Sequence, residues 1–467
     1  MFTASNSISA DNAAISCPPQ TDKPRSNVAS REENNSSSKT PAKLLGYPQI
    51  LRYCRFVYES SRISPPADGR RGSLLARAPR VEICLRAHQS KLGKCSQCLL
   101  PAPGYDRLAE RYFQFVPLWG MRTWFVYAPR RLACARCGIR VEYLPWALGK
   151  RPVTQSFAWF LASWAKLLSW QVVSRRFQTS WESVFRSVEM AVEWGRQRID
   201  LTGISALGVD EIYWKKGKFL TLVYQINEGM KRLLFVVENR QEQSLRQFFV
   251  WFGKERSALI EFICTDMWKP YLNVIAQYAP NALNILDRFH IAAKMNKALD
   301  EVRAKETRAL KVGAKGSTVI LTHSRWCLLK RPENLSELQE VKLKDLLSYN
   351  LKTIRAYLLK EEFQLFWKYV SAAWAEKFMD QWCKKAMRSR LEPMKKIAGM
   401  LRVHKPLILN WFQARDEVSL GAVEGLNNKL KASTRTSYGF RTAKAITIML
   451  YHKLGELPEP QLTHRFC

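Results

Sequence analysis

The stretch LIEFICTDMWKPYL (Leu259–Leu272) decides how the chain is read. Its apolar run up to Thr265 reads as a buried strand, and Asp266 closes it. Pro270 pre-sets the φ of a helical first turn, so a helix over PYLNVIAQYA is expected to follow. A buried strand ending in a carboxylate and feeding a helix is one half of a parallel crossover. Upstream lie three further strand-like runs, SALGVDEIYW (205–214), FLTLVYQI (219–226) and RLLFVVE (232–238), joined by the turns KKGK and NEGMK. A helical run (QSLRQFFVWFG) separates them from LIEFICTD, and ALNILDRFH (282–290) reads as one more strand. The order is β-β-β-α-β-α-β. Short turns make the first three strands an antiparallel meander, and the helical connections make the rest parallel. The first and fourth strands then lie side by side in a mixed sheet, which brings Asp210 close to Asp266.

A third acid, Glu424 in SLGAVEGLNNKLK, lies far along the chain on an expected helix. Three carboxylates from two strand ends and one helix make an oxygen-rich cage. Such a cage suits two hard cations ~3.5–4 Å apart, which activate an attacking oxygen and stabilise the leaving oxygen of a phosphodiester. Magnesium, or manganese in its place, matches oxygen ligands. A lone Asp at a strand end is more often a helix cap; the pairing by strand order is what favours the functional reading. Glu211 should point to the opposite face from Asp210. Asp287 and His290, in LDRFH, end the next strand and could orient a ligand or cap a helix. Trp268 is a candidate for stacking beside the site or for packing.

The chain of 467 residues carries 74 Lys and Arg against 40 Asp and Glu, a formal charge of +34. That excess points to a polyanion such as DNA or RNA. No apolar run reaches the ~18 residues of a spanning helix, and the first residues lack a signal-peptide pattern. A cytoplasmic, nucleoid-associated setting with no membrane partner is expected. Of eleven cysteines, Cys95/Cys98 and Cys134/Cys137 form two C-x-x-C pairs. Two such pairs joined by hairpin-like sequence are the arrangement of a four-thiolate zinc site.

Residues 1–45 are polar and expected to be disordered; residues 46–80 carry no assignment. A zinc-binding domain is expected over 81–150 and a helical, helix-turn-helix-like domain over 151–202, its helices flanking Gln178–Ser180. The sheet occupies 203–290. A helical insertion fills 291–415, and 416–467 returns to the sheet with Glu424 on its last helix. After Glu424 no acid occurs until Glu456, and Lys429, Lys431, Arg435, Arg441 and Lys444 are candidates for phosphate contact.

TDMWKPYLNVIAQYAPNALNILDRFHIAAKMNKALDEVR (265–303) and EGLNNKLKASTRTSYGFRTAKAI (424–446) resemble the signature blocks of the ISL-three family of bacterial insertion-sequence transposases. LLKRPENL and AYLLKEEFQLFW resemble its middle region. The resemblance implies a ribonuclease H-like catalytic fold with a large all-α insertion, and a DDE triad falling on Asp210, Asp266 and Glu424. It also implies two divalent ions, a zinc finger, double-stranded DNA as substrate at the element's ends and target, and a dimer or larger assembly on DNA. Two departures are Leu420–Gly421, where more polar residues are usual, and Gln225, where an acid is commoner. A degenerate, DNA-binding relative and a nuclease that cuts without joining are the rival readings.

Overall fold

The computed structural model describes residues 55–64, 79–147, 149–313, 321–414, 422–437 and 439–460. The expected tail over 1–45, most of 46–80, and Leu420–Gly421 lie outside them. Among the described residues, the strands preceding the first helix are β1 (Phe56–Ser64), β2 (Arg80–Ala87), β3 (Gly93–Lys94), β4 (Pro101–Ala102), β5 (Gly104–Arg107), β6 (Arg111–Leu118), β7 (Met121–Tyr127), β8 (Arg130–Cys134) and β9 (Gly138–Val141). The β6–β7 hairpin turns at Trp119 and Gly120, both at positive φ (49° and 76°), the two-residue geometry that matches strand twist. This hairpin belongs to the sheet β1-β2-β7-β6, whereas the second cysteine pair sits on a separate sheet, β5-β8-β9. The hairpin therefore does not itself present that pair, as the sequence suggested.

Three helices follow: α1 (Gln155–Leu167), α2 (Trp170–Arg176) and α3 (Trp181–Arg196). Thr154, Ser169 and Ser180 cap them, each side chain accepting from a backbone N–H of the first turn. Gln178, at φ 50°, makes the turn between α2 and α3. Trp159 and Trp170 are buried, as core residues should be, while Trp164 is partly exposed.

The central sheet runs β12-β11-β10-β13-β14, with β10 (Ala206–Lys215), β11 (Lys218–Gln225), β12 (Arg232–Glu238), β13 (Phe262–Thr265) and β14 (Leu283–Leu286). The β10–β11 and β11–β12 pairs are antiparallel, and the β10–β13 and β13–β14 pairs parallel. One face is covered by α4 (Glu242–Phe252), α5 (Lys254–Ala258) and α6 (Lys269–Tyr278), whose Phe248, Phe249, Val274 and Ile275 pack on Leu207, Val209 and Ile263. The opening strand is shorter than its sequence implied. Leu259 caps α5 and is exposed, and only Phe262–Thr265 pair in the sheet. Gln225, the departure from the acid-bearing pattern, is buried and accepts from Arg232 Nε at 2.8 Å.

The helical segment begins at Arg288, three residues earlier than expected. It comprises α7 (Arg288–Gly313), α8 (Arg325–Leu329), α9 (Glu337–Leu347), α10 (Lys352–Gln364), α11 (Ala372–Arg388), α12 (Glu392–Val403) and α13 (Lys405–Gln413), around a core of its own. Its last helix returns to the sheet: Asn410 Nδ2 donates to Asn284 O at 2.8 Å, and Trp411 packs beside Ile285. An edge strand is thereby covered rather than left to pair with another chain. Two helices follow, not the one expected: α14 (Ala422–Thr436) and α15 (Ala443–Leu454). Val236 N–H, on the opposite edge, donates to Tyr451 Oη of α15 at 3.0 Å. Among the described residues no helix is long and apolar enough to cross a membrane.

Candidate active site

The parallel register pairs Ala206 with Phe262 and Gly208 with Cys264. Continued two residues, it sets Asp210 and Asp266 at the same height on neighbouring strands. Asp266 follows the last residue of β13, and its Oδ1 accepts from Trp268 N at 2.8 Å, a local turn leading into α6.

Gly208 and Asp210 share one face of β10, and α14 lies against it. A Cβ on Gly208 would meet Val423 Cγ2 at 2.5 Å. Only glycine lets the helix that carries Glu424 come this close to the strand that carries Asp210. A polar relay fixes the approach: the buried Tyr224 hydroxyl donates to Asn427 Oδ1 at 2.9 Å, and Asn427 Nδ2 donates to Asp210 Oδ2. Glu211 N donates to the other Asp210 oxygen at 2.7 Å. Burial nevertheless raises the Asp210 pKa above the usual carboxylate value, with Asp266 adding repulsion.

Glu211 points to the opposite face, as its position predicts, but it is not a solvent group. Arg240 Nε lies 2.7 Å from Glu211 Oε2 and its Nη2 lies 3.0 Å from Asp266 Oδ2, so one guanidinium spans both acids. The same guanidinium sits 5.0 Å from the centre of the Trp268 ring, which packs edge-on against Tyr271. Trp268 is thus occupied by the protein's own side chains. Burial pushes the Glu211 pKa up to about 7 despite Arg240. Sequence reading missed Arg240. The signal was an arginine directly after Asn239, whose φ of 74° makes the turn between β12 and α4.

Asp287 begins the turn into α7, its Oδ1 accepting from Phe289 N at 2.8 Å. His290 Nε2 stands 3.8 Å from Asp210 and 3.9 Å from Asp287. Burial raises the Asp287 pKa, with Asp210 and Glu424 adding to it, so the three acids share one electrostatic neighbourhood. Glu424 itself is exposed on the first turn of α14. The structure therefore sets His290 between Asp210 and Asp287, without drawing three of these ligand atoms within 4.8 Å of one another. It holds Asp266 on Arg240 and leaves Glu424 at the solvent side.

Lys429, Lys431, Arg435 and Arg441 are exposed. Lys444 is exposed as well, but it pairs with Glu189 of α3 and lies 6.0 Å from the centre of the Phe185 ring. On the polar side of α3, Glu182, Glu189 and Glu193 offset its arginines. Arg175 and Arg176 make α2 the more basic member of the helix pair.

The ligand atoms of Cys95, Cys98, Cys134 and Cys137 all lie within 4.8 Å of one another; among the described residues no other such group of His, Cys, Asp or Glu occurs. Cys98 and Cys134 sulfurs are 3.5 Å apart, close to the ~3.8 Å edge of a tetrahedron with ~2.3 Å metal–sulfur bonds. Backbone N–H groups of Cys98 and Gln97 lower the Cys95 pKa to about 7. The cluster is compatible with a zinc site. Beside it, Glu142 is buried and accepts from the Tyr127 hydroxyl and from Arg130 Nη2 at 2.5 and 2.7 Å.

A family model described as "Transposase", that of the ISL-three elements, matches residues 207–450. The chain is 26% identical over 387 residues to the transposase for insertion sequence element IS1001 of Bordetella parapertussis, covering 82% of this chain and 92% of that protein. It is 28% identical over 392 residues to the transposase for insertion sequence element IS1557 of Mycobacterium tuberculosis, covering 79% and 87% respectively.

Proposed function

The chain belongs to the ISL-three transposase family and is a transposase of an insertion sequence, and we propose that Asp210, Asp266 and Glu424 are its metal-binding catalytic acids. The observation that carries this reading is the Gly208–Val423 approach with the Tyr224–Asn427–Asp210 relay. Together they hold the helix bearing Glu424 on the strand bearing Asp210. The meander followed by two parallel strands fits a ribonuclease H-like domain split by the helical insertion.

The donor set suits magnesium or manganese. It consists of hard carboxylates, and burial with mutual repulsion holds Asp210 and Asp287 above their usual pKa, a charge cluster that divalent ions relieve. Bound there, two ions would supply an activated attacking oxygen and a stabilised leaving oxygen. Asn427 fixes the orientation of Asp210. Arg240 holds Asp266 and neutralises Glu211. His290 stands where it can orient Asp210 and Asp287. No side chain need serve as nucleophile, because water and then a DNA 3′-hydroxyl take that role.

The four cysteines would hold one structural zinc in a domain over 81–150, followed by a helical DNA-binding domain over 151–202. Double-stranded DNA, both terminal repeats and target, is the partner that the +34 charge serves. Joining both ends calls for a dimer or larger assembly on DNA. The exposed Lys429, Lys431, Arg435 and Arg441 would contact phosphate. Replacing Asp266 by Ala should remove strand transfer by about a thousandfold or more and leave end binding intact. Unimpaired strand transfer by that variant overturns the assignment.

A further inference from the structure

A cavity of about 660 Å³ lies away from the carboxylates, between the α2–α3 helix pair and the connection from α14 to α15. Among the described residues, three aromatic rings line it: Trp170, Trp181 and Phe440. Trp170 lies 5.8 Å from Trp181 and 5.9 Å from Phe440, and Trp181 stacks at 4° on Phe185. Trp181 is 47% exposed and lines the cavity, with one face of its ring taken by Phe185. Arg175 and Arg441 also line it, with small and uncharged polar side chains between, and no described lining residue is acidic. Among the described residues neither arginine has an ion-pair partner; Glu182, the acid beside Trp181, is taken by Arg186.

Flat rings together with unpaired guanidinium groups match a ligand that is aromatic at one end and anionic at the other. The volume lies within the usual range for small-ligand sites. In a chain that acts on DNA, the ligand of that chemistry already in hand is a nucleotide. A base within a duplex cannot reach such a ring, whereas an unpaired base can. We propose that this cavity receives an unpaired nucleotide of the bound DNA, its base against Trp181 and its phosphates on Arg175 and Arg441. The site lies at the far end of α14 from Glu424. Twelve residues separate Glu424 from Thr436, or ~18 Å of helix, about five steps of DNA at 3.4 Å. One helix would then set the distance between the unpaired position and the reacting phosphodiester. The inference rests on the reading of the chain as a DNA-acting transposase.

The test measures fluorescence anisotropy of the full chain with magnesium withheld. The probes are a labelled single strand of mixed sequence and the same strand in a blunt duplex. Trp181→Ala should weaken single-strand binding about tenfold and leave duplex binding within about twofold, and Trp181→Tyr should restore it. Arg175→Gln combined with Arg441→Gln should lower the salt slope of single-strand binding by about 1.4, two contacts at ~0.7 each. Equal losses on both probes, or none, overturn the pocket while the transposase reading stands. If the native chain binds neither probe, the reading of the chain as DNA-binding fails and the pocket with it.

Discussion

The thiol cluster and the carboxylate cluster are built on opposite plans. The four cysteines come from one short span, and their ligand atoms already lie within 4.8 Å of one another. Gly138, at φ 73°, turns the chain directly after the second pair. The acids come from strands and a helix spread over nearly half of the chain, and organic partners occupy two of them: Asn427 on Asp210, Arg240 on Asp266. A structural metal site is closed and tetrahedral, while a catalytic one keeps positions open. On the assignment proposed above, the thiol site would form as part of folding, whereas the acid site would be completed by ions and DNA.

Breaking the closed site should have the larger effect. Cys98→Ser is expected to reduce zinc from one equivalent per chain to none, read by elemental analysis, and to unfold the region over 81–150. Structural zinc contributes ~10–16 kcal/mol in small domains. Retained zinc with unchanged thermal unfolding would remove Cys98 from the ligand set, and native protein that carries no zinc would show that the thiols pack without a metal. The open site should respond in degree. Arg240→Gln leaves Glu211 and Asp266 without their shared cation, so manganese should bind tighter by electron paramagnetic resonance. Strand transfer should fall about 10–100-fold, because Asp266 loses its orienting partner. A parallel fall in both quantities would make Arg240 merely structural. The smallest effect is expected at the joint. Gly208→Ala forces a methyl onto Val423 and should cost ~1–3 kcal/mol in thermal unfolding. Adding Val423→Ala should recover most of it, and strictly additive losses would mean that the two residues are not coupled.

Local chemistry made much of this legible. Apolar runs and glycine turns mark β10, β11 and β12 almost to their ends, and the strand order alone sets Asp210 beside Asp266. The C-x-x-C pairs were equally plain. What sequence reading missed depends on partners far along the chain. Lys444 reads as a free cation until Glu189 of α3 is seen beside it. Arg240 is one arginine among many until the fold sets it between Glu211 and Asp266. Helix α15 is apolar nearly all round because the sheet and α3 enclose it, so it lacks the stripe that announces a surface helix. Leu259 continues the apolar run in sequence yet stands exposed at the end of α5.

The insertion with its own core lies between the two aspartates and the glutamate. On the assignment proposed above, this arrangement also acts as a clock. A ribosome that has made Asp266 must add 158 more residues (424 minus 266) before it makes Glu424, about 8–30 s at ~5–20 residues per second. Throughout that interval the nascent sheet holds two of its three acids and cannot cut. A chain cut short anywhere in the insertion would lack Glu424 and with it the third proposed acid. On that assignment, competence to break DNA would arrive only with the last portion of synthesis, after residues 81–202 had left the ribosome.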